Sequence, residues 1–439
     1  MSSAQEELKQ GTDHFVTNIE AYHQALNGKA RDWVHDLRVA GLEQLKTRGL
    51  PTTKLEGWRY TNIRPLVAKQ FGKGDLPALN LETLQENILP VQGLKIVLNN
   101  GILDSSLSDL DGLGDGAIIC SLEDAVKNHG ELLKSAIDGY DTPEDEVFTA
   151  LNSAYFGAGL FIHIPKSVVF EKTIHLICVG GSTEQALAAH PRVIVLLGEN
   201  SQATLMESYV GLESTSYLNN VVTELKLGEN AVLDHVRLQN ETNESFHLSS
   251  VVIRQERSSQ LNSYFVSLGA KLARINIEAA VLGRGADCRL QGLYLVDEKR
   301  HVDIHIVMDH AQGHCTSLQK FKGVLDDKGT SVFDARVLVR KGADKTDAVQ
   351  QNNNLLLSKN AQANTRPQLE IYADDVKCGH GATVGQLDEN QVFYLRSRGL
   401  NEDVAKRELT YAFANEVLST IKDEQVRVVL ESLVRSKLI

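Results

Sequence analysis

From Leu160 to about Ile371 the chain repeats short alternating runs of β-branched residues, divided by a small turn unit. The unit reads Gly198-Glu-Asn-Ser201, Gly228-Glu-Asn-Ala231, Gly283-Arg-Gly-Ala286, Lys341-Gly-Ala343 and Lys359-Asn-Ala361. The first two copies lie 30 residues apart, and the later gaps vary. Alternation with period two puts one set of side chains on each face of a strand. Runs of about five or six residues, joined by tight turns and almost free of helical pattern, predict stacked β coils. A sandwich also shows regular short strands. Gln350-Gln351-Asn352-Asn353-Asn354 favours the coil, because amides at equivalent positions of successive coils can bond in ladders.

Composition narrows the function classes. At 439 residues with 42% hydrophobic residues, the chain has enough apolar material for a substantial core. Its formal charge of −12 argues against a nucleic-acid footprint and against attraction to an anionic membrane surface. No apolar run approaches the roughly 20 residues of a transmembrane helix, and the polar, acidic opening MSSAQEELKQGTDHF is unlike a signal or transit peptide. Five scattered cysteines (Cys120, Cys178, Cys288, Cys315, Cys378) make no disulfide framework, which points to a reducing cytoplasm. No CxxC is present to hold a permanent four-cysteine cluster.

The flanks read differently from the centre. Residues 2 to about 48 carry Phe15, Ile19, Tyr22 and Leu26, then Trp33, Val34, Leu37, Gly41 and Leu45, at helical spacing; Gly49-Leu50-Pro51 ends the pattern. The aromatic–basic stretch Gly49 to Leu66 reads as a loop that anchors these helices onto the next region. Leu94 to Leu98 reads as a strand and Ser121 to Ser135 as a helix capped by Ser121. Asp138 to Glu146 reads as a solvated acidic turn. Gly112 to Gly116 is glycine-rich but lacks the Gly-Lys-Ser/Thr of a phosphate loop. After Gly399, Asn401 caps a helix striped with Val404, Leu409, Phe413, Val417 and Ile421, and a second helix starts near Glu424. Two such helices are expected to cap the open end of the coil. The division is therefore 1–160 mixed and helical, 161–399 β core, and 400–439 helical.

Two places in the core attract metal readings. His301, His305, His310 and His314 form a row, but His301, Asp303, His305 and Asp309 alternate with Val302, Ile304, Ile306 and Met308, which describes a wet outer face over an apolar one. In Lys377-Cys378-Gly379-His380-Gly381, Cys378 and His380 are two apart and share a strand face. A thiolate beside an imidazole suits zinc, iron or an iron–sulfur centre, and the flanking glycines remove bulk. Two donors do not close a tetrahedral site. A packed structural cysteine explains the same residues.

The longer segment around that pair, TRPQLEIYADDVKCGHGATVGQLDENQVFYLRSRGL from Thr365 to Leu400, preceded by TDAVQQNNNLLLS from Thr346 to Ser358, resembles the core signature of the SufB/SufD family of iron–sulfur cluster assembly proteins. The stretch Gly49 to Leu66 resembles the family's N-terminal motif. One departure is Leu395, which stands where SufB members carry a scaffold cysteine. The resemblance implies a right-handed parallel β-helix between helical regions. It also implies a non-enzymatic scaffold subunit, joined to a SufB-like paralogue through its last coils and to a SufC-like ABC ATPase through 400–439. Transient iron or a nascent cluster would be received at the paralogue interface, with His380 and Cys378 contributing and Asp374 and Asp375 either assisting or turning the chain. A homodimer in isolation is compatible with the same edge, and flavin binding by the complex is not legible in the sequence. Two rivals stay open: a β-helix carbohydrate-active enzyme, which needs convergent carboxylates, and a purely structural homo-oligomer. Because no phosphate-cradling loop is present, the purified chain is expected to show no ATP turnover; activity that survives removal of trace ATPase would contradict this.

Overall fold

The computed structural model describes residues 3–26, 32–72, 79, 82, 88–111, 113–114, 116–137, 146–181, 186–212 and 216–438. Asp138 to Asp145, and Gly112 and Asp115 of the glycine-rich stretch, lie outside the described residues. The centre is a parallel β-solenoid of about seven turns. One sheet runs from Ile102–Leu103 and Leu94–Asn99 to Lys377–Gly385, and the other from Ile118–Ser121 to Gln362–Ile371. Leu94–Asn99 pairs in parallel with Ile174–Gly180, so the solenoid recruits a strand from well before residue 161.

Gln202, Val232, Gln260, Asp287, Thr316, Asp347 and Lys377 stand in register on successive strands. Each turn of the solenoid thus consumes about thirty residues, the spacing between the first two turn units. Most strands from Gln202 onwards are ten residues long rather than five or six. Polar positions that seem to interrupt the alternation remain in the strand, because the same position one coil away satisfies them. At one corner Asn200, Asn230, Ser258 and His314 adopt left-handed φ of 56° to 60°. Their backbone N–H groups donate to Glu229, Arg257, Arg284 and Asp344 carbonyls of the next coil at 2.8–3.1 Å. Asparagine suits this corner because its short polar side chain tolerates the left-handed region.

The interior is mainly apolar, with Phe265, Phe321 and Phe333 in a row at ring separations of 6.3 and 5.3 Å. Gly292 admits this row, since a Cβ there would lie 2.3 Å from the Phe321 ring. Nearer the N-terminal end the lumen holds charge. Glu207 accepts from His235 Nε2 at 2.9 Å and Arg237 Nη1 at 3.4 Å, and Tyr209 also donates to it. Burial alone would raise the Glu207 carboxyl, but the Arg237 guanidinium and His235 outweigh it and hold the value at about 2.

The N-terminal region rests on the outer face of the second sheet. Helices Ser3–Ala25 and Asp32–Arg48 bury Phe15, Ile19, Val34 and Leu45. The Gly49–Leu66 stretch is the anchor: Trp58 is buried beneath the Arg274 guanidinium at 3.8 Å. Thr61 Oγ1 donates to Asp303 Oδ2 at 2.6 Å, and Arg274 also pairs with Asp303. The row His301, Asp303, His305 therefore does face outwards, but it is covered by this loop rather than wet. Glu146, expected in a solvated turn, instead accepts from Asn276 Nδ2 at 2.7 Å, and burial raises its carboxyl.

The C-terminal helices do not cap the open end. Glu402–Leu418 and Glu424–Lys437 lie along the outer face of the first sheet. There Val417, Ile421, Val426, Leu430 and Val434 pack on outward residues such as Met206, Val236, Tyr264 and Leu293. Lys322 fastens them, 2.7 Å from Glu416 and 4.1 Å from the Phe413 ring centre. The apolar stripe on the sheet's flank selects this placement.

Replacing Glu207 by Gln leaves buried Arg237 without its counter-charge and is expected to cost about 3 kcal/mol in a urea titration. The Glu207 carboxyl lies below its ordinary value of 4.5, so its contribution is complete above that pH and is lost as pH falls towards about 2. Acid titration of the native chain, compared with the Glu207→Gln chain, should show the difference shrinking through that window.

Candidate functional site: the open terminal coil

Among the described residues the last strand, Lys377–Gly385, pairs in parallel only with Asp347–Leu356. Ala348 and Gln350 are buried in the lumen, and in register they stand under Cys378 and His380. Alternation then directs Cys378 and His380 together into the mouth of the solenoid. Cys378 is half-buried and packs against the core, whereas His380 is exposed because no further coil covers it. Gly379, Gly381 and Gly385 project to the opposite, outer face, where a Cβ would meet nothing within 4 Å. The glycines therefore do not clear space around the histidine ring; they leave the back of the final strand bare.

At the same end the second sheet stops at Gln362–Ile371, which among the described residues pairs only with Thr330–Val339. Two strand edges and the coil mouth are thus presented side by side, with Ile371 41% and Val384 47% exposed. Such an edge is a template for pairing with another chain. The opposite end is closed differently, by the antiparallel strands Ile102–Leu103 and Ile118–Ser121.

Asp375 belongs to the turn between these strands: its carbonyl accepts from Lys345 N at 2.6 Å and its carboxylate pairs with Lys345 Nζ. Asp374 is exposed in the same turn. His310 faces inward to Ser317 at 2.9 Å, and His314 sits at a corner beside Arg284, so the histidine row is dispersed. Among the described residues no group of three or more His, Cys, Asp or Glu is gathered to hold a metal. His380 and Cys378 offer two donors at most. Burial pushes the Cys378 thiol up, with Asp347 adding to the effect, so it needs a cation or base nearby to become a thiolate. Leu395 lies half-buried in the helix Glu389–Ser397, which leaves Phe393 71% exposed.

The amide run Gln350 to Asn354 reads as ladder-forming in the sequence, but its place beneath the histidine does not. Gln350 Nε2 donates to Gln319 Oε1 at 2.9 Å, and Asn354 Nδ2 to Asn352 Oδ1 at 2.8 Å. The expected ladder is present between coils at Gln350 and Gln319, the Asn354–Asn352 bond lies within one strand, and these amides line the lumen below the site. Their signal was the thirty-residue spacing of Gln350 and His380, readable only once the coil period is known.

A fold of this kind, open at a histidine-bearing coil, defines a solenoid scaffold with an unfinished end. Residues 9–176 match the SufBD protein N-terminal region, and residues 179–413 match the SUF system FeS cluster assembly SufBD core domain. The chain belongs to the SufBD family of iron–sulfur cluster assembly proteins. It is 33% identical to an iron–sulfur cluster assembly SufBD family protein of Synechocystis, over 88% of this chain and 86% of that one. It is 32% identical to the iron–sulfur cluster assembly protein SufD of Escherichia coli, covering 88% and 89% respectively. The Bacillus subtilis protein named SufD is 26% identical over 92% of this chain and 94% of its own.

His380→Ala is expected to leave the melting midpoint almost unchanged, within the ±0.5 kcal/mol or so of exposed substitutions, as circular dichroism would show. In a chain with Cys378 as its only cysteine, alkylation at neutral pH should lag behind an ordinary exposed thiol and speed up as pH rises. Equal rates at pH 7 would place Cys378 outside the core contact described above.

Proposed function

We propose that the chain is the SufD-type subunit of a SufB–SufC–SufD scaffold, and that its terminal coil forms half of the site where iron and sulfide are received. One observation carries this reading: an imidazole and a thiol share the mouth of a coil whose two sheet edges both lack a neighbour. Pairing these edges with a SufB-like paralogue would satisfy the backbone groups and bring the paralogue's donors to His380 and Cys378. Neutral imidazole, a borderline donor, and thiolate, a soft one, both suit iron, and two donors do not saturate it. Iron and sulfide are here cargo passing through the site. The chain contributes donors and position, and it performs no bond-making step of its own.

The C-terminal helices are the proposed seat of the SufC-like ATPase. Their inner stripe is committed to the sheet, so docking uses the outer face, where Val428 is 52% exposed. No helix among the described residues is long and apolar enough to cross a membrane, and the reading places the complex in the cytoplasm.

Co-expression with the two partners tests both halves. Val384→Lys puts a charge at the unpaired edge and should abolish capture of the paralogue. Val428→Asp should spare the paralogue and lose the ATPase. His380→Ala should retain both partners yet yield complex nearly free of iron and acid-labile sulfide. Normal cluster content in the His380→Ala complex would sink the proposed site.

A further inference from the structure

We propose that Gln350 is a positioning residue for His380, accepting a hydrogen bond from one ring N–H and thereby selecting which ring nitrogen faces the iron. The inference rests on the reading of His380 as an iron-handling donor. Gln350 and His380 are register partners on adjacent parallel strands. Both belong to the inward set, and adjacent strands stand about 4.8 Å apart, the spacing that side-chain ladders bridge. Gln350 is fully buried. Its Nε2 is committed to Gln319 Oε1 at 2.9 Å, on the coil away from the histidine. Its Oε1 is buried without a partner among the described residues. A planar amide that aims its nitrogen at one neighbouring coil turns its oxygen towards the other, and there the register partner is His380.

A buried acceptor with no donor calls for one. The neutral imidazole supplies it, carrying a proton on one nitrogen and a lone pair on the other. No described residue hydrogen-bonds the His380 ring in the chain as it stands, so the ring reaches Gln350 by a side-chain rotation within the mouth. Donation to Gln350 Oε1 makes the bonded nitrogen the protonated one and leaves the second nitrogen's lone pair free. Metal-binding histidines are commonly oriented in this way by a carbonyl or carboxylate behind them. Gln319 extends the arrangement by accepting from the Gln350 nitrogen on the side away from the histidine.

The test uses the full chain labelled with 15N-histidine, and Co²⁺ as the probe metal on the co-expressed complex. His380 signals are assigned by their loss in His380→Ala. In the metal-free native chain, long-range proton–nitrogen spectra should show one dominant His380 tautomer. Gln350→Leu, which fills the site without an acceptor, should yield a mixture, and Gln350→Glu, which keeps the acceptor, should restore a single form. Co²⁺ affinity of the complex should fall by about tenfold or more in Gln350→Leu and recover in Gln350→Glu. An unchanged tautomer ratio in folded Gln350→Leu overturns the proposal, whatever the metal data show. A shifted ratio with undiminished Co²⁺ binding in His380→Ala refutes the iron-handling reading instead, and leaves the orientation of the ring by Gln350 standing.

Discussion

Backbone pairing between successive coils is the constraint on which the rest depends. A parallel strand inside the stack gives its N–H and C=O groups to two neighbours, and only in-register stacking satisfies them over ten residues. Once that register is set, side-chain positions become columns. One column set fills the lumen, another lines the outer faces, and the corners fall where Asn200, Asn230, Ser258 and His314 follow one another. The same constraint makes the last coil incomplete, because its strands have a neighbour on one side only.

Columns also explain how the solenoid tolerates polarity inside. A buried amide or carboxylate is costly unless paired, and a column brings its partner at fixed spacing. Glu207 finds His235 one coil on, and Gln350 finds Gln319 one coil back. Between these two polar stretches the Phe265, Phe321 and Phe333 rings close the lumen. The charged group near the N-terminal end and the amide group beneath His380 are therefore separate environments. The outer faces are handled differently: Trp58 and Thr61 cover one, and the C-terminal helices cover the other.

Features set by neighbouring residues were legible in the sequence. The helix stop at Gly49, with φ of +65°, and the caps Ser121 and Asn401, which accept from Asp124 N and Val404 N, are local and appear as expected. The common face of Cys378 and His380 was legible because two residues of one strand suffice to define it. Strand length was not, since Gln319 and Gln350 look like breaks until the coil next door is known. The amphipathic stripe of the last helices announced a docking surface without saying which one; that choice belongs to Met206, Val236 and Leu293, scattered over about ninety residues of strand. Covering of the His301 row depended on Trp58, more than two hundred residues away, and no local pattern records such a contact.

The one-sided bonding of Lys377–Gly385 has a thermodynamic side. In a linear stack of repeats an interior unit opens by breaking two interfaces and a terminal unit by breaking one, so opening free energy falls towards the end. Amide protons of this strand would exchange with solvent before those of the interior strands of its sheet. A partner that supplies the missing coil turns the end of the stack into its middle. Rigidity would then reach the strand carrying His380 at the moment the remaining donors arrive, and an unpaired subunit would hold its histidine on backbone less protected than the interior of the sheet.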